Sequence, residues 1–346
     1  ILIVWFFSIV SLAALILLLL NFCKNLFEKS FLLSQLIILA PLSENYFVRK
    51  DTFLMLLYGL SLLVMKALYH KSINKLIAIL SVNFISMVAI FSHESYGIWG
   101  LPSLLIIFSI FEKKGKKNIF QSFLCATLFL LPAILSFFLC WFYKGDTNQS
   151  LMIHQSWQSL AEIIPSVSGL YEKDPSGAIA AIGWGTSQVF TSSLISQFNL
   201  FIFWHPGMWL LTIFISIRLF IGKKKDLNQK LKRTIVCSQF VAFIPLFLFV
   251  DIGRWIFMWL TSSALLFSFL YHTFGFKKLL YFSSTLKGQQ ILPKIIPQFS
   301  SIRNYNYVLL FFGIPHCCWS LGRYLVSNPI GFGIKNIIFY TKFLFS

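Results

Sequence analysis

The sequence predicts an all-α, polytopic integral membrane protein with about nine to eleven transmembrane helices and one larger outer loop. Three observations predict it. Hydrophobic residues make up 57% of the 346 positions and charged residues only 12%, about half the share found in soluble globular proteins. Mean hydropathy is +0.77, with 40 Phe, 12 Tyr and 10 Trp along the chain. The apolar residues are also gathered into runs long enough to cross a bilayer, with the charges between them. A soluble domain of this size could not cover so much apolar surface. Disordered chains are poor in aromatic and branched aliphatic residues, so disorder is excluded as well. A net charge of +18 and a pI near 9.7 would ordinarily point to nucleic acid. Here the basic residues punctuate apolar runs, so the expected partner is the lipid bilayer and not nucleic acid.

The predicted spans, in chain order, are Ile1–Phe22, Thr52–Tyr69, Ile73–Phe91, Gly97–Phe111, Ile119–Tyr143, Asn199–Ile221, Thr234–Val250, Trp255–Phe274 and Tyr307–Leu321. Phe31–Leu42 spans only if extended toward Phe47, and Ile330–Phe345 is a further terminal candidate. The first run has neither a basic leader nor a small-residue cleavage site, which argues against a signal peptide. The whole chain, 1–346, reads as one transmembrane domain. The outer loop, 144–198, contains an amphipathic stretch around Gln155–Gln158 and Leu160–Ile164. It also holds Ala178–Gln197, which is expected to be re-entrant or interfacial because it is rich in Gly, Ser and Thr. Trp204-His205-Pro206-Gly207 predicts a kink within its span.

Orientation follows from the lysines and arginines of the short loops, which are retained on the cytoplasmic side. Lys113 to Lys117, Lys223 to Arg233 and Lys277 to Arg303 are the basic connectors. Placing all three inside puts Glu44–Asp51, Ser92–Tyr96, Lys144–Gly177 and Asp251–Arg254 outside. The outer segments then hold eight of the 11 acids and five of the 29 basic residues. The positive-inside rule accounts for the inner lysines; the outer charges need a second explanation.

Three short polar turns on that side carry the chemistry. In Glu44-Asn45-Tyr46-Phe47-Val48-Arg49-Lys50-Asp51, the acid at 51 reads either as a helix N-cap or as a functional carboxylate. Arg49 and Lys50 oppose both export and a helix N-terminus, so phosphate or carboxylate recognition is their natural use. In Ser92-His93-Glu94-Ser95-Tyr96, adjacent His and Glu supply a base with its orienting partner, or an interfacial pair. The zinc-protease pattern fails because position 97 is Gly. In Asp251-Ile252-Gly253-Arg254-Trp255, Gly253 permits the reversal, Asp251 and Arg254 can pair, and Trp255 reads as an interfacial anchor. His154 and Trp157 add a weaker, sugar-like binding signal in the outer loop.

Other chemistries lack their signatures. The six cysteines show no C-x-x-C pair or zinc-ligand spacing, and Cys317-Cys318 reads as buried small residues. There is no Walker A, no G-x-G-x-x-G and no G-x-S-x-G. No span holds paired acids at mid-depth and no two-halves repeat is visible, which disfavours an ion-driven transporter. Ser72-Ile73-Asn74-Lys75 has S-x-x-K form without the supporting motifs and reads as coincidence.

Arg49-Lys50-Asp51, His93-Glu94 and Asp251-Ile252-Gly253-Arg254-Trp255, at the outer mouths of many spans, give a pattern that resembles bacterial polytopic envelope-glycan proteins. These are the exopolysaccharide and O-antigen polymerases and, more distantly, membrane glycosyltransferases using lipid-phosphate sugar donors. The resemblance implies a multi-pass protein of the bacterial cytoplasmic (inner) membrane acting on a polyprenyl-pyrophosphate-linked glycan. It implies Asp51, His93, Glu94 and Asp251 as catalytic residues, and Arg49, Lys50, Arg254 and Trp157 as substrate-binding residues. No cofactor is implied, although a divalent metal is compatible, with Glu44 and Asp51 the only acidic pair in the first outer loop. The alternatives are a flippase or transporter of lipid-linked glycan and a non-catalytic membrane subunit.

Overall fold

The computed structural model describes residues 2–22, 50–113, 118–158, 174–175 and 177–183, with individual positions between 238 and 273. Among these residues every regular element is a helix. In chain order they are α1 (Leu2–Phe22), α2 (Asp51–Tyr69), α3 (Lys75–Ser92), α4 (Ser95–Lys113), α5 (Ile119–Phe129), α6 (Leu131–Phe142), α7 (Thr147–Gln158) and α8 (Gly177–Ile182). Asp51–Tyr69, Lys75–Ser92 and Ser95–Glu112 are long and apolar enough to cross a membrane, and α5 with α6 makes a fourth crossing if the bent pair is one span. Within α1 the apolar stretch Ile9–Leu18 is shorter. The predicted spans Asn199–Ile221 and Tyr307–Leu321, and the candidates Phe31–Leu42 and Ile330–Phe345, lie outside the described residues.

Local chemistry sets where these helices begin and end. Asn74 caps α3, its side-chain oxygen accepting from the Ile77 N–H at 2.8 Å, so the helix starts at Lys75 instead of Ile73. Asn118 and Gln121 form a reciprocal capping box at the start of α5. After α2 the Ser72 N–H bonds Ala67 O and the Lys71 N–H bonds Leu68 O, a Schellman closure with Lys71 at φ 59°.

The helices α2, α3 and α4 alternate in direction. Lys50 Nζ donates to the Ser92 carbonyl at 2.8 Å, which joins the start of α2 to the end of α3. At the opposite end Lys75 Nζ lies 2.6 Å from Glu112 Oε1, and the Tyr69 and Phe111 rings meet at 5.8 Å. His70, Lys71, Lys75 and Lys113 thus share one end, while Lys50, Asp51, His93 and Glu94 share the other. This is the alternation that the lysine pattern predicts for these spans.

The α3 faces are inverted relative to a soluble helix. Leu76, Ile77, Leu80, Phe84 and Phe91 are exposed, while Ala78, Val82, Asn83, Ser86, Ala89 and Ile90 are buried. Small and polar residues turned inward let helix backbones approach closely where water cannot drive association. Close approach recurs at Gly59, where a Cβ would strike Leu18, and at Gly97, where it would strike the Phe137 ring.

The predicted span Ile119–Tyr143 is not continuous. It breaks at Leu130 into α5 and α6, which meet at 67°. Pro132, at the start of α6, has no N–H to give Leu128 O. Asn83 of α3 occupies the break. Its Nδ2 donates to Phe129 O at 2.6 Å, and its Oδ1 accepts from the Ala133 N–H at 3.2 Å. The pair still runs the length of α4: α5 starts six residues after α4 ends, and Phe137 of α6 lies against Gly97 in the first turn of α4.

In the predicted pair Thr234–Val250 and Trp255–Phe274, the described positions are helical. Gln239 Nε2 donates to Ser262 Oγ at 2.7 Å within the buried interior, a polar tie between the two segments. Phe243 rests on Trp99 of α4, and Leu265 approaches Gly59 of α2, so these segments belong to the same core. In the outer loop, α7 and α8 pack together through Ser150 Oγ, which donates to Ile179 O at 2.7 Å. The six-residue α8 ends in a turn at Gly183, and the rest of Ala178–Gln197 lies outside the described residues.

Candidate functional site

The end bearing Lys50 and Glu94 is built from three chain segments. Residues 93 and 94 alone separate α3 from α4. His93 leaves the helix in extended geometry, its N–H still bonded to Ala89 O at 2.9 Å. The Tyr96 and Gly97 N–H groups then bond to His93 O and Glu94 O, opening α4 at once. Glu94 therefore sits beside the N-terminus of α4, where backbone N–H groups favour negative charge.

Glu94 Oε2 lies 3.4 Å from His93 Nδ1, with His93 largely buried and Glu94 more than half exposed. The Glu94 carboxyl is held down at about 2, against an ordinary 4.5. The hydrogen bond with His93 is the largest cause, the charges of His93 and Lys50 add to it, and burial opposes it. The Ser95 N–H also points at His93 Nδ1, at 3.3 Å. One nitrogen cannot donate to Glu94 and accept from Ser95 at the same time. Two proton arrangements therefore share this geometry: Nδ1–H toward the carboxylate, or bare Nδ1 receiving the backbone N–H.

The structure resolves the difficulty posed by Lys50. It precedes the first turn of α2, where a cation is unfavourable, but its ammonium caps the last carbonyl of α3, where a cation is favoured. Asp51 is not the N-cap; that position is Lys50, without a side-chain cap. Asp51 is instead fully buried in the first turn of α2.

The third segment arrives through Trp255. Its ring meets the His93 imidazole edge-on at 6.1 Å, and Trp255 is buried, so this Trp packs as a wall of the site. Lys50, His93 and Trp255, one from each predicted polar turn, are thus linked in a chain of direct contacts through Ser92. Below them lies a packed aromatic layer of Tyr58, Tyr96, Trp99 and Phe243, with Tyr58 OH and Ser103 Oγ at 2.6 Å.

Arg49, Asp251 and Arg254 lie outside the described residues, as do Glu44 and Cys317-Cys318. Trp157 is exposed on the last turn of α7. Among the described residues no hydrogen bond, ion pair or ring contact joins it to Lys50, His93 or Glu94. His154, on the same helix, is buried. Among the described residues no cluster of three His, Cys, Asp or Glu side chains is placed to hold a metal ion.

Sequence reasoning missed two hydroxyls at this end. Thr52 follows Asp51 and Ser95 follows Glu94; both hydroxyls are buried and without a hydrogen-bond partner among the described residues. Their only sequence signal is adjacency to the acids. Compared with protein-family models, characterised proteins and solved structures, the chain matches none.

Proposed function

We propose that this protein transfers or polymerises sugars carried on polyprenyl pyrophosphate, at the outer face of a bacterial cytoplasmic membrane. The supporting observation is the contact between three polar turns, distant in sequence, at one end of a bundle of apolar helices. In this reading the acceptor hydroxyl attacks the anomeric carbon, the bond to the pyrophosphate oxygen breaks, and polyprenyl pyrophosphate leaves. Lys50, with Arg49 and Arg254, stabilises the negative charge that develops on that leaving group.

The base must take the proton of the hydroxyl. A carboxylate held near 2 is a weak base at neutral pH, so Glu94 suits the role of orienting partner. His93 then takes the proton, with Asp51 and Asp251 as the other acids of the site. The Thr52 and Ser95 hydroxyls, without a hydrogen-bond partner among the described residues, are donors and acceptors for a polar ligand.

A second reading is favoured by one observation: the bond from Lys50 to Ser92 O gives this lysine a capping role that needs no substrate. A non-catalytic subunit would use the same contacts for structure alone. The full chain in liposomes, given a polyprenyl-pyrophosphate-linked oligosaccharide, separates the two. His93→Ala is expected to lower the transfer rate by about 100-fold or more, the usual size of a general-base effect, and Glu94→Gln by less. Wild-type glycan length and amount in His93→Ala, Glu94→Gln and Arg254→Ala proteins that insert normally would establish the subunit reading.

A further inference from the structure

The α5–α6 junction carries an inference that is independent of what the Lys50–Glu94 end does chemically. In an uninterrupted helix the Ala133 N–H would bond to Phe129 O, four residues earlier. Both groups are instead taken by the amide of Asn83: Nδ2 donates to Phe129 O at 2.6 Å and Oδ1 accepts from Ala133 N at 3.2 Å. One side chain thus substitutes for one rung of the helix, using its donor and its acceptor as a peptide group would. The same Nδ2 donates to Ile79 O at 2.9 Å, which ties the amide to its own helix. Asn83 is buried, within a helix whose exposed apolar residues are Leu, Ile and Phe. Such a group is costly in an apolar interior unless fully bonded, and here its bonds are the two ends of the break.

We infer that Asn83 is a latch that holds the α5–α6 crossing in its bent form. With the amide inserted, the rung is open and the helices meet at 67°. With the amide withdrawn, Phe129 O and the Ala133 N–H are free to bond each other, and only the smaller kink of a helix containing proline remains. Pro132 removes the N–H that Leu128 O would receive, and the neighbouring Phe129–Ala133 rung is the one whose two groups Asn83 takes. The bend seats α6 along α3 and α4 and brings Phe137 into the space left by Gly97, three residues after Glu94. Release of the latch would therefore move the wall of the helix bundle nearest the polar end.

The test is a distance measurement by pulsed electron resonance on the full chain in liposomes. Spin labels replace the exposed Phe120 and Phe142 in a background with its cysteines exchanged. Asn83→Ala should lengthen the label separation by about 5 Å, the change expected when two helices of this length open from 67° to a proline kink. An unchanged separation in a folded Asn83→Ala protein overturns the latch. Should that variant fail to accumulate, Pro132→Ala decides, because Asn83 stays in place and Ala is a strong helix former. A retained separation in Pro132→Ala supports the latch; straightening there assigns the bend to the proline and overturns it.

Discussion

Lys50 stands before one helix and after another, and the second relation decides its energetics. Read along the chain, it opposes the α2 dipole; in space, its ammonium closes the last turn of α3. No periodicity or composition signals that bond, because it joins residues 42 apart. The His93–Glu94 pair, by contrast, is legible: two titratable neighbours between two apolar runs have almost no loop in which to separate. Its consequence for pH has a definite sign. The Glu94 carboxyl is lowered from 4.5 to about 2 in the folded chain, so its stabilisation is complete above pH 4.5 and is lost as pH falls toward 2. Because the carboxylate is more than half exposed, screening limits the effect to under about 1 kcal/mol. Acid unfolding followed between pH 5 and 2 should be shallower in Glu94→Gln than in the wild type. An equal slope below pH 4.5 would count against the His93–Glu94 hydrogen bond.

At the scale of elements, caps and breaks separate what can be read locally from what cannot. Asn74 and Asn118 stand before apolar runs, where N-caps belong. Lys71 holds a left-handed conformation that a non-glycine residue adopts at a cost of about 1 kcal/mol. Lys71→Gly should therefore raise stability by about that amount, measured as a shift in reversible unfolding of the detergent-solubilised chain. A loss of stability would mean that the lysine side chain contributes more than its backbone strain costs. The Ile119–Tyr143 run reads as one span in the sequence, yet it is broken, and the break is filled by Asn83, which belongs to another helix 50 residues earlier in sequence. A broken helical rung needs a partner in space, and sequence adjacency does not supply one.

The asymmetry of charge is the organising feature of the whole molecule. The described helices place Lys71, Lys75 and Lys113 at one end and Asp51, Glu94 and Lys50 at the other. The positive-inside rule predicts that the first end is cytoplasmic. Single cysteines introduced at positions 71 and 94, in a background free of other cysteines, should react with a membrane-impermeant maleimide from opposite sides of sealed vesicles. Position 94 should label from the outside only. Labelling of both positions from one side would remove the predicted topology and the outer-face reading of the site with it.

The sequence by itself determined the helical, apolar class, where the apolar helices α2, α3 and α4 lie, and the alternation of their ends. These follow from run length, from turn chemistry and from the placement of lysine, all of which act locally along the chain. It also singled out the polar turns, since ionisable groups at membrane edges are conspicuous against apolar runs. Only the tertiary structure decided that Lys50 reaches Ser92, that Trp255 covers His93, and that Asn83 fills the break between α5 and α6. Each of these is a contact between helices. In an apolar interior such contacts are fixed by which unsatisfied backbone carbonyl or N–H lies within reach, and that depends on helix packing instead of order along the chain.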